Sequence, residues 1–198
     1  MIEVFADIWC PFAYVGLTMT RARRNARGAQ APINVRAWPL ELVNGEPQDA
    51  ALAAEHVRDL RTQLGVDLFN GFSVDHFPTT TLPALAVVAA ATRVGRGEDA
   101  SFRVRTALWE EGRDIGDPAV VDALADELGA SLTDADTQSV VDDWHEGQRR
   151  DVQGSPHFFC GDQSAFCPSL VIEHGAQGEL HVHADPARLE GFLEACLP

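Results

Sequence analysis

The sequence predicts an α/β fold interrupted by a long all-helical insertion. Three observations carry this. The chain opens as strand, helix, strand. Roughly a hundred residues from Ala50 to Gln153 then show helical spacing and no convincing strand. Strand-like segments return after Gly154. A strand–helix–strand start suits a parallel βαβ unit, and 198 residues are enough to bury a substantial core. The expected organisation is a first α/β part over residues 1–48, a helical domain over 49–150 and a second α/β part over 151–198.

The first strand is the apolar run from Ile2 to Ile8. Trp9-Cys10-Pro11-Phe12-Ala13-Tyr14 follows, and Tyr14 to Asn25 reads as a helix with a basic end at Arg21, Arg23, Arg24 and Arg27. Cys10 therefore sits where a strand ends and a helix begins, with Pro11 where a helix best tolerates proline. Unpaired N–H groups and the helix dipole there favour an anionic sulfur. Such positions lower a thiol pKa from about 8.5 to between roughly 3.5 and 7.5. Asp7 is a counterweight, because a carboxylate facing the sulfur would raise its pKa.

Gly28 to Pro32 is a turn, and Ile33 to Trp38 alternates as a second strand. Pro39 to Leu42 leads into a loop at Asn44-Gly45-Glu46-Pro47. Helices are expected over Ala50–Gly65, from Thr81-Leu82-Pro83 to about Val94, over Ser101–Glu111, from the Asp117-Pro118 cap to Gly129, and over Thr133–Arg150. Val66 to Phe77 reads as loop. Beyond Gly154-Ser155-Pro156, a strand runs through His157-Phe158-Phe159-Cys160, and a further one over Pro168–His174 follows the Gly161-Asp162 turn. Asp185-Pro186 caps a last helix whose apolar face is Leu189, Phe192, Leu193, Cys196 and Leu197.

Composition removes several function classes. Net charge is −15, from 30 acidic and 15 basic residues, which argues against nucleic acid and anionic membrane surfaces. All 15 basic residues are arginine, so there is no lysine for a Schiff base or a P-loop. The chain opens Met1-Ile2-Glu3 without a basic, then apolar, leader, and the apolar run Leu82–Ala91 is too short to span a bilayer. The expectation is a cytoplasmic protein, where Cys10, Cys160, Cys167 and Cys196 are thiols. No Ser-His-Asp signature or dinucleotide-binding glycine loop is present, and no zinc pattern is matched. Cys160 and Cys167 would approach each other in a hairpin, or be unrelated thiols.

Three motifs carry a resemblance over nearly the whole chain: W-C-P-x-x-Y-x-G from Trp9, L-W-E-E-G-R-D-I-G-D from Leu108, and G-S-P-x-F-F from Gly154. With them the sequence resembles the DsbA family of the thioredoxin superfamily, especially its FrnE-like branch. The resemblance implies a thioredoxin-like fold with an inserted helical domain, thiol–disulfide oxidoreductase activity, and a cis-proline at Pro156 facing the active-site turn. The family usually carries Cys-Pro-Trp-Cys. Here Phe12 replaces the tryptophan and Ala13 the second cysteine, so no thiol stands ready to resolve a mixed disulfide. The related kappa-class glutathione transferases and 2-hydroxychromene-2-carboxylate isomerases also lack the pair, usually with serine at the first position.

The candidate catalytic residue is therefore Cys10. Pro11, Phe12, Ala13, Tyr14, Trp38, Ser155, Pro156 and His157 are candidates for lining the substrate site, with Trp9 beside them, although buried aromatics are more often core. The backbone and hydroxyl of Ser155 are expected to meet an incoming thiol, and His157 to be an acid–base group or simply hydrogen-bonded. No metal or tightly bound cofactor is expected. Glutathione or another low-molecular-weight thiol is the implied co-substrate, the partner a small disulfide or a peptide thiol, and a homodimer is compatible with an apolar cleft. The readings are a monothiol oxidoreductase, a thiol-dependent transferase or isomerase, and a non-enzymatic binding or chaperone-like module.

Overall fold

Strand β1 (Ile2–Ala6) feeds helix α1 (Pro11–Ala26), which returns the chain to β2 (Ile33–Ala37). In this computed structural model, which describes residues 1–176 and 178–197, β2 runs parallel to β1 from Ile2↔Ile33 to Ala6↔Ala37. A short helix α2 (Leu40–Asn44) forms where the sequence suggested only a run and a loop, and Gly45 closes it at φ 76°.

Five longer helices follow: α3 (Ala50–Leu64), α4 (Leu82–Arg93), α5 (Gly97–Trp109), α6 (Pro118–Leu128) and α7 (Asp134–Arg149), with a 3-10 turn at Val74–His76. Their ends have identifiable causes. The Asp49 and Asp117 side chains accept from Ala51 and Ala119 N–H at 2.8 and 2.7 Å. Thr133 and Asp136 form a reciprocal capping box. Helix α5 starts four residues before the expected Ser101, because Glu98 and Asp99 place negative charge in its first turn.

The last third holds β3 (His157–Cys160), β4 (Gln163–Phe166), β5 (Leu170–His174), β6 (Leu180–Ala184) and α8 (Pro186–Cys196). The main sheet has the order β2-β1-β3-β4, with β3 antiparallel to both β1 and β4. Strand β4 was not expected. Its sequence, Gln-Ser-Ala-Phe, is short and largely exposed at a sheet edge, so it lacks the apolar alternation that marks a strand. Strands β5 and β6 form a separate ribbon. The Gln63 side chain of α3 docks β6, donating to Leu180 O and accepting from Val182 N–H, both at 2.8 Å.

The two faces of the sheet have different covers. Ile2, Val4, Ala6 and Phe158 pack with Leu17 of α1 and with Leu189, Phe192 and Leu193 of α8. Phe5, Trp38 and Phe159 pack on the other face, against Trp144 of α7. The helical insertion has no core of its own. Its apolar cluster runs without a break into Ile8, Trp9, Tyr14, Val15 and Ala37 on one side and into Leu170 and Val182 on the other.

Candidate active site

Cys10 is the N-cap of α1, in extended conformation, with Pro11 opening the helix. Its sulfur accepts from the Ala13 N–H at 3.4 Å and its thiol donates to the Ser155 carbonyl at 3.0 Å. The Ser155–Pro156 peptide bond is cis. The Ser155 hydroxyl accepts from the Asp7 N–H at 2.9 Å. Ser155 thus holds the ends of β1 and α1 together at the turn, and its carbonyl faces the sulfur.

The electrostatics correct the expectation of a depressed thiol pKa. Burial pushes the Cys10 thiol up to about 11, and the charge of Asp7 adds to the rise. Hydrogen bonds from Ser155 and from the Ala13 and Phe12 N–H groups act the other way without overcoming burial. The residue is only 5% exposed, so the helix-end effect is outweighed by desolvation. At neutral pH the resting site holds a protonated thiol.

Asp7 is fully buried beneath this turn. Its carboxylate accepts from the Trp9 N–H at 3.1 Å and from the Leu40 N–H, and it bonds the Thr81 side chain. Burial still raises it to about 6. Arg105, also fully buried, donates to the Asp7 carbonyl at 3.1 Å and to Ser101, and burial lowers its pKa to about 10. Sequence reasoning did not single out Arg105 or Thr81. The available signal was that Arg105 stands three residues from both Phe102 and Leu108, on the face of the helix that the sequence read as inward.

The candidate lining residues divide. Phe12 is half-buried beside Cys10 and lies 5.1 Å from the His56 ring, so α3 forms the neighbouring wall. Pro11 and Ala13 are buried in the first turn. Tyr14 is a core residue. Its ring meets Phe69 edge-on at 5.6 Å and its hydroxyl engages Glu110 and Thr106. Trp9 likewise is core, donating to Pro78 O at 3.2 Å and stacking on Phe77.

Trp38 and His157 do not join the site. His157 lies opposite Phe5 across the β1–β3 pairing, and directly paired residues share a face. Its ring stacks on Phe159 at 4.6 Å, and its Nδ1 accepts from the Gln153 N–H at 3.0 Å. Burial lowers its pKa. Trp38 packs edge-on to Phe5 at 6.4 Å, on that same face. Cys10 sits instead with Val4 and Phe158. The strand period of two, applied to Pro156 and His157, sends neighbouring residues to opposite faces.

Of the two readings of Cys160 and Cys167, the structure matches unrelated thiols. All four cysteines are free thiols. Cys160 pairs with Gln163 at the turn of the β3–β4 hairpin, whereas Cys167 follows Phe166 at the opposite end. Cys167 donates its N–H to Pro156 O at 3.0 Å and turns the chain at φ 44°. Burial pushes its thiol up to about 12, with Cys10 close enough to add to the rise. The two sulfurs nevertheless belong to separate apolar clusters. Among the described residues, no three or more His, Cys, Asp or Glu side chains gather as metal ligands. No helix among them is long and apolar enough to cross a membrane.

A thioredoxin-like sheet with a cysteine at the first helix and a cis-proline against it defines a class, and comparison with known proteins places the chain in it. Residues 1–177 match the DSBA-like thioredoxin domain, and the chain belongs to that family. The Bacillus subtilis protein YwbO is 27% identical over an alignment that takes in 81% of this chain and 86% of that protein. A putative protein disulfide isomerase from Nitrosomonas europaea superposes with a TM-score of 0.68 at 15% identity, covering 98% of this chain and 95% of that one. The cytosolic disulfide reductase DsbM from Pseudomonas aeruginosa, in its structure with GSH, gives 0.62 at 17% identity, covering 98% and 97%. A 2-hydroxychromene-2-carboxylate isomerase gives 0.61 at 16% identity, covering 83% and 87%.

Proposed function

We propose that this protein is a thiol–disulfide oxidoreductase that works through Cys10 alone and is reset by an external low-molecular-weight thiol. The carrying observation is the turn itself. A sulfur caps α1 and receives the residue 13 N–H, while residue 13 is alanine and brings no second thiol. Family membership supports the reaction class, and the DsbM structure with GSH supports glutathione as the kind of thiol that fits.

The chemistry is two exchanges. The Cys10 thiol loses its proton, and its sulfur attacks a substrate disulfide. One new S–S bond forms, the substrate bond breaks, and the departing sulfur takes up the proton. An external thiolate then attacks the mixed disulfide and restores Cys10, leaving with the other substrate sulfur as a new disulfide. The Ala13 N–H stabilises the anionic sulfur, and Phe12 offers an apolar wall to the substrate. The substrate is a small disulfide or a peptide cysteine, and the reading assumes a reducing, cytoplasmic setting.

A second reading has one observation in its favour. A thiol held protonated, with its pKa pushed up to about 11, can donate a hydrogen bond to the sulfur of a bound thiol. That is the role a hydroxyl would play in a glutathione-dependent isomerase or transferase. Intact-protein mass spectrometry after incubation with glutathione disulfide separates the two. The oxidoreductase reading expects one glutathione on Cys10, absent in Cys10→Ser and released by added thiol. A Cys10 that never carries an adduct, in protein that still binds reduced glutathione, points to the second reading.

A further inference from the structure

Outside the Cys10 site the fold brings a pair of thiols together. Phe158 and Cys160 are two apart on β3 and share a face, and Phe192 and Cys196 are four apart on α8 and share a face. The Phe158 and Phe192 rings meet edge-on at 5.8 Å. From that contact, two strand residues advance about 6.6 Å and four helix residues about 6.0 Å. Cys160 and Cys196 thus each lie one such advance from the ring contact, on faces that line the same apolar cluster. Cys160 packs against the same apolar cluster that contains Cys196, and it lies close enough to add to the rise of the Cys196 pKa.

Access is asymmetric. Cys160 is half-buried at the end of β3. Cys196 is buried on its helix but lines an open surface pocket with Arg27, Gln30 and Leu197. Cys196 is also the last residue of α8, where a helix end can shift to meet the short Cα–Cα span that a disulfide needs.

We propose that Cys160 and Cys196 are a dithiol site separate from Cys10, which a low-molecular-weight disulfide oxidises to an intramolecular disulfide between β3 and α8. Cys160, the more exposed, attacks the small disulfide and releases one small thiol. The Cys196 sulfur then attacks the Cys160 sulfur and expels the second. Two protein thiols and one small disulfide become one protein disulfide and two small thiols, which carry away both protons. Burial, and then the neighbouring Cys160 thiol, push the Cys196 thiol up to about 12. Cys196 therefore acts second. The pair is independent of the role given to Cys10.

The experiment uses the full chain carrying Cys10→Ser, so that no adduct at residue 10 interferes. The protein is incubated with glutathione disulfide, quenched in denaturant with an alkylating agent, and digested without reduction. The expected result is a cross-linked peptide joining residues 160 and 196, with both residues protected from alkylation and both freed by reductant. Adding Cys160→Ser should abolish the cross-link and leave Cys196 alkylated, and adding Cys196→Ser should leave Cys160 holding glutathione. The proposal is overturned if both residues remain alkylatable, if glutathione stays on Cys160 with Cys196 intact beside it, or if the bridge joins either residue to Cys167.

Discussion

At the residue scale the decisive balance is at Cys10, where a helix N-terminus competes with burial and burial wins. Asp7 contributes to that outcome and can be tested separately. Its ordinary pKa of 3.8 rises to about 6 in the fold, so the folded state holds this proton more tightly than the unfolded chain does. The linked stability is fully present below about pH 4 and is lost as pH rises through about 6, a change on the order of 3 kcal/mol. Denaturant unfolding of wild type and Asp7→Asn from pH 3.5 to 7 should show this slope in the wild type and a flatter profile in the variant. Cys10 in Asp7→Asn should also alkylate with a lower apparent pKa than in wild type, since the neighbouring negative charge is gone. An unchanged profile would remove Asp7 from the site's electrostatics. The sequence showed the strand–cysteine–proline–helix turn and an acidic neighbour. It could not show how deeply the turn is buried, because α3, α4 and α5 come from distant parts of the chain.

At the element scale, contacts between secondary structures decide which candidates reach the site. Helix α7 crosses the Phe5 face so closely that a Cβ built on Gly147 would overlap the Trp38 ring, with Phe5 Cδ1 3.2 Å away. Gly147→Ala should therefore destabilise the fold by about 1–3 kcal/mol, read as a lower denaturation midpoint. A neutral or stabilising effect would mean that α7 and Trp38 pack less closely. The same close packing fixes Trp38 as core, although as an aromatic at the end of the second strand it was a lining candidate. Helix caps at Asp117 and Asp185 were legible, because capping is local chemistry. Strand β4 was not, because its pairing with β3 depends on a partner rather than on its own pattern. The proposed pairing of Cys160 with Cys196 rather than Cys167 was equally out of the sequence's reach, because α8 and β3 are distant in the chain.

At the scale of the whole molecule, the insertion and the sheet are joined by one apolar cluster, and polar links reinforce the seam. Arg24 of α1 grips Glu98 of α5 with two hydrogen bonds, and the Glu98 carboxylate also accepts from the Ile33 N–H of β2. Arg36 of β2 reaches Asp143 of α7. The helical segment is therefore a wall of the Cys10 site as much as an attachment to it. Its presence was legible from helical periodicity. Its union with the sheet core was not, since Trp9 and Tyr14 look like site residues until their partners Pro78, Phe69 and Glu110 are seen. The central claim is that the site holds one working thiol and borrows the second. The most direct test is made in Cys160→Ser protein, so that Cys160 and Cys196 consume no disulfide, and compares Ala13 with Ala13→Cys, following turnover of a small disulfide substrate against the concentration of external thiol. With Ala13 the predicted rate extrapolates to zero without external thiol. With Ala13→Cys a thiol-independent first turnover should end in a disulfide between residues 10 and 13. Completed turnover of the Ala13 protein with no external thiol would contradict the account and would show that another cysteine of this chain resolves Cys10.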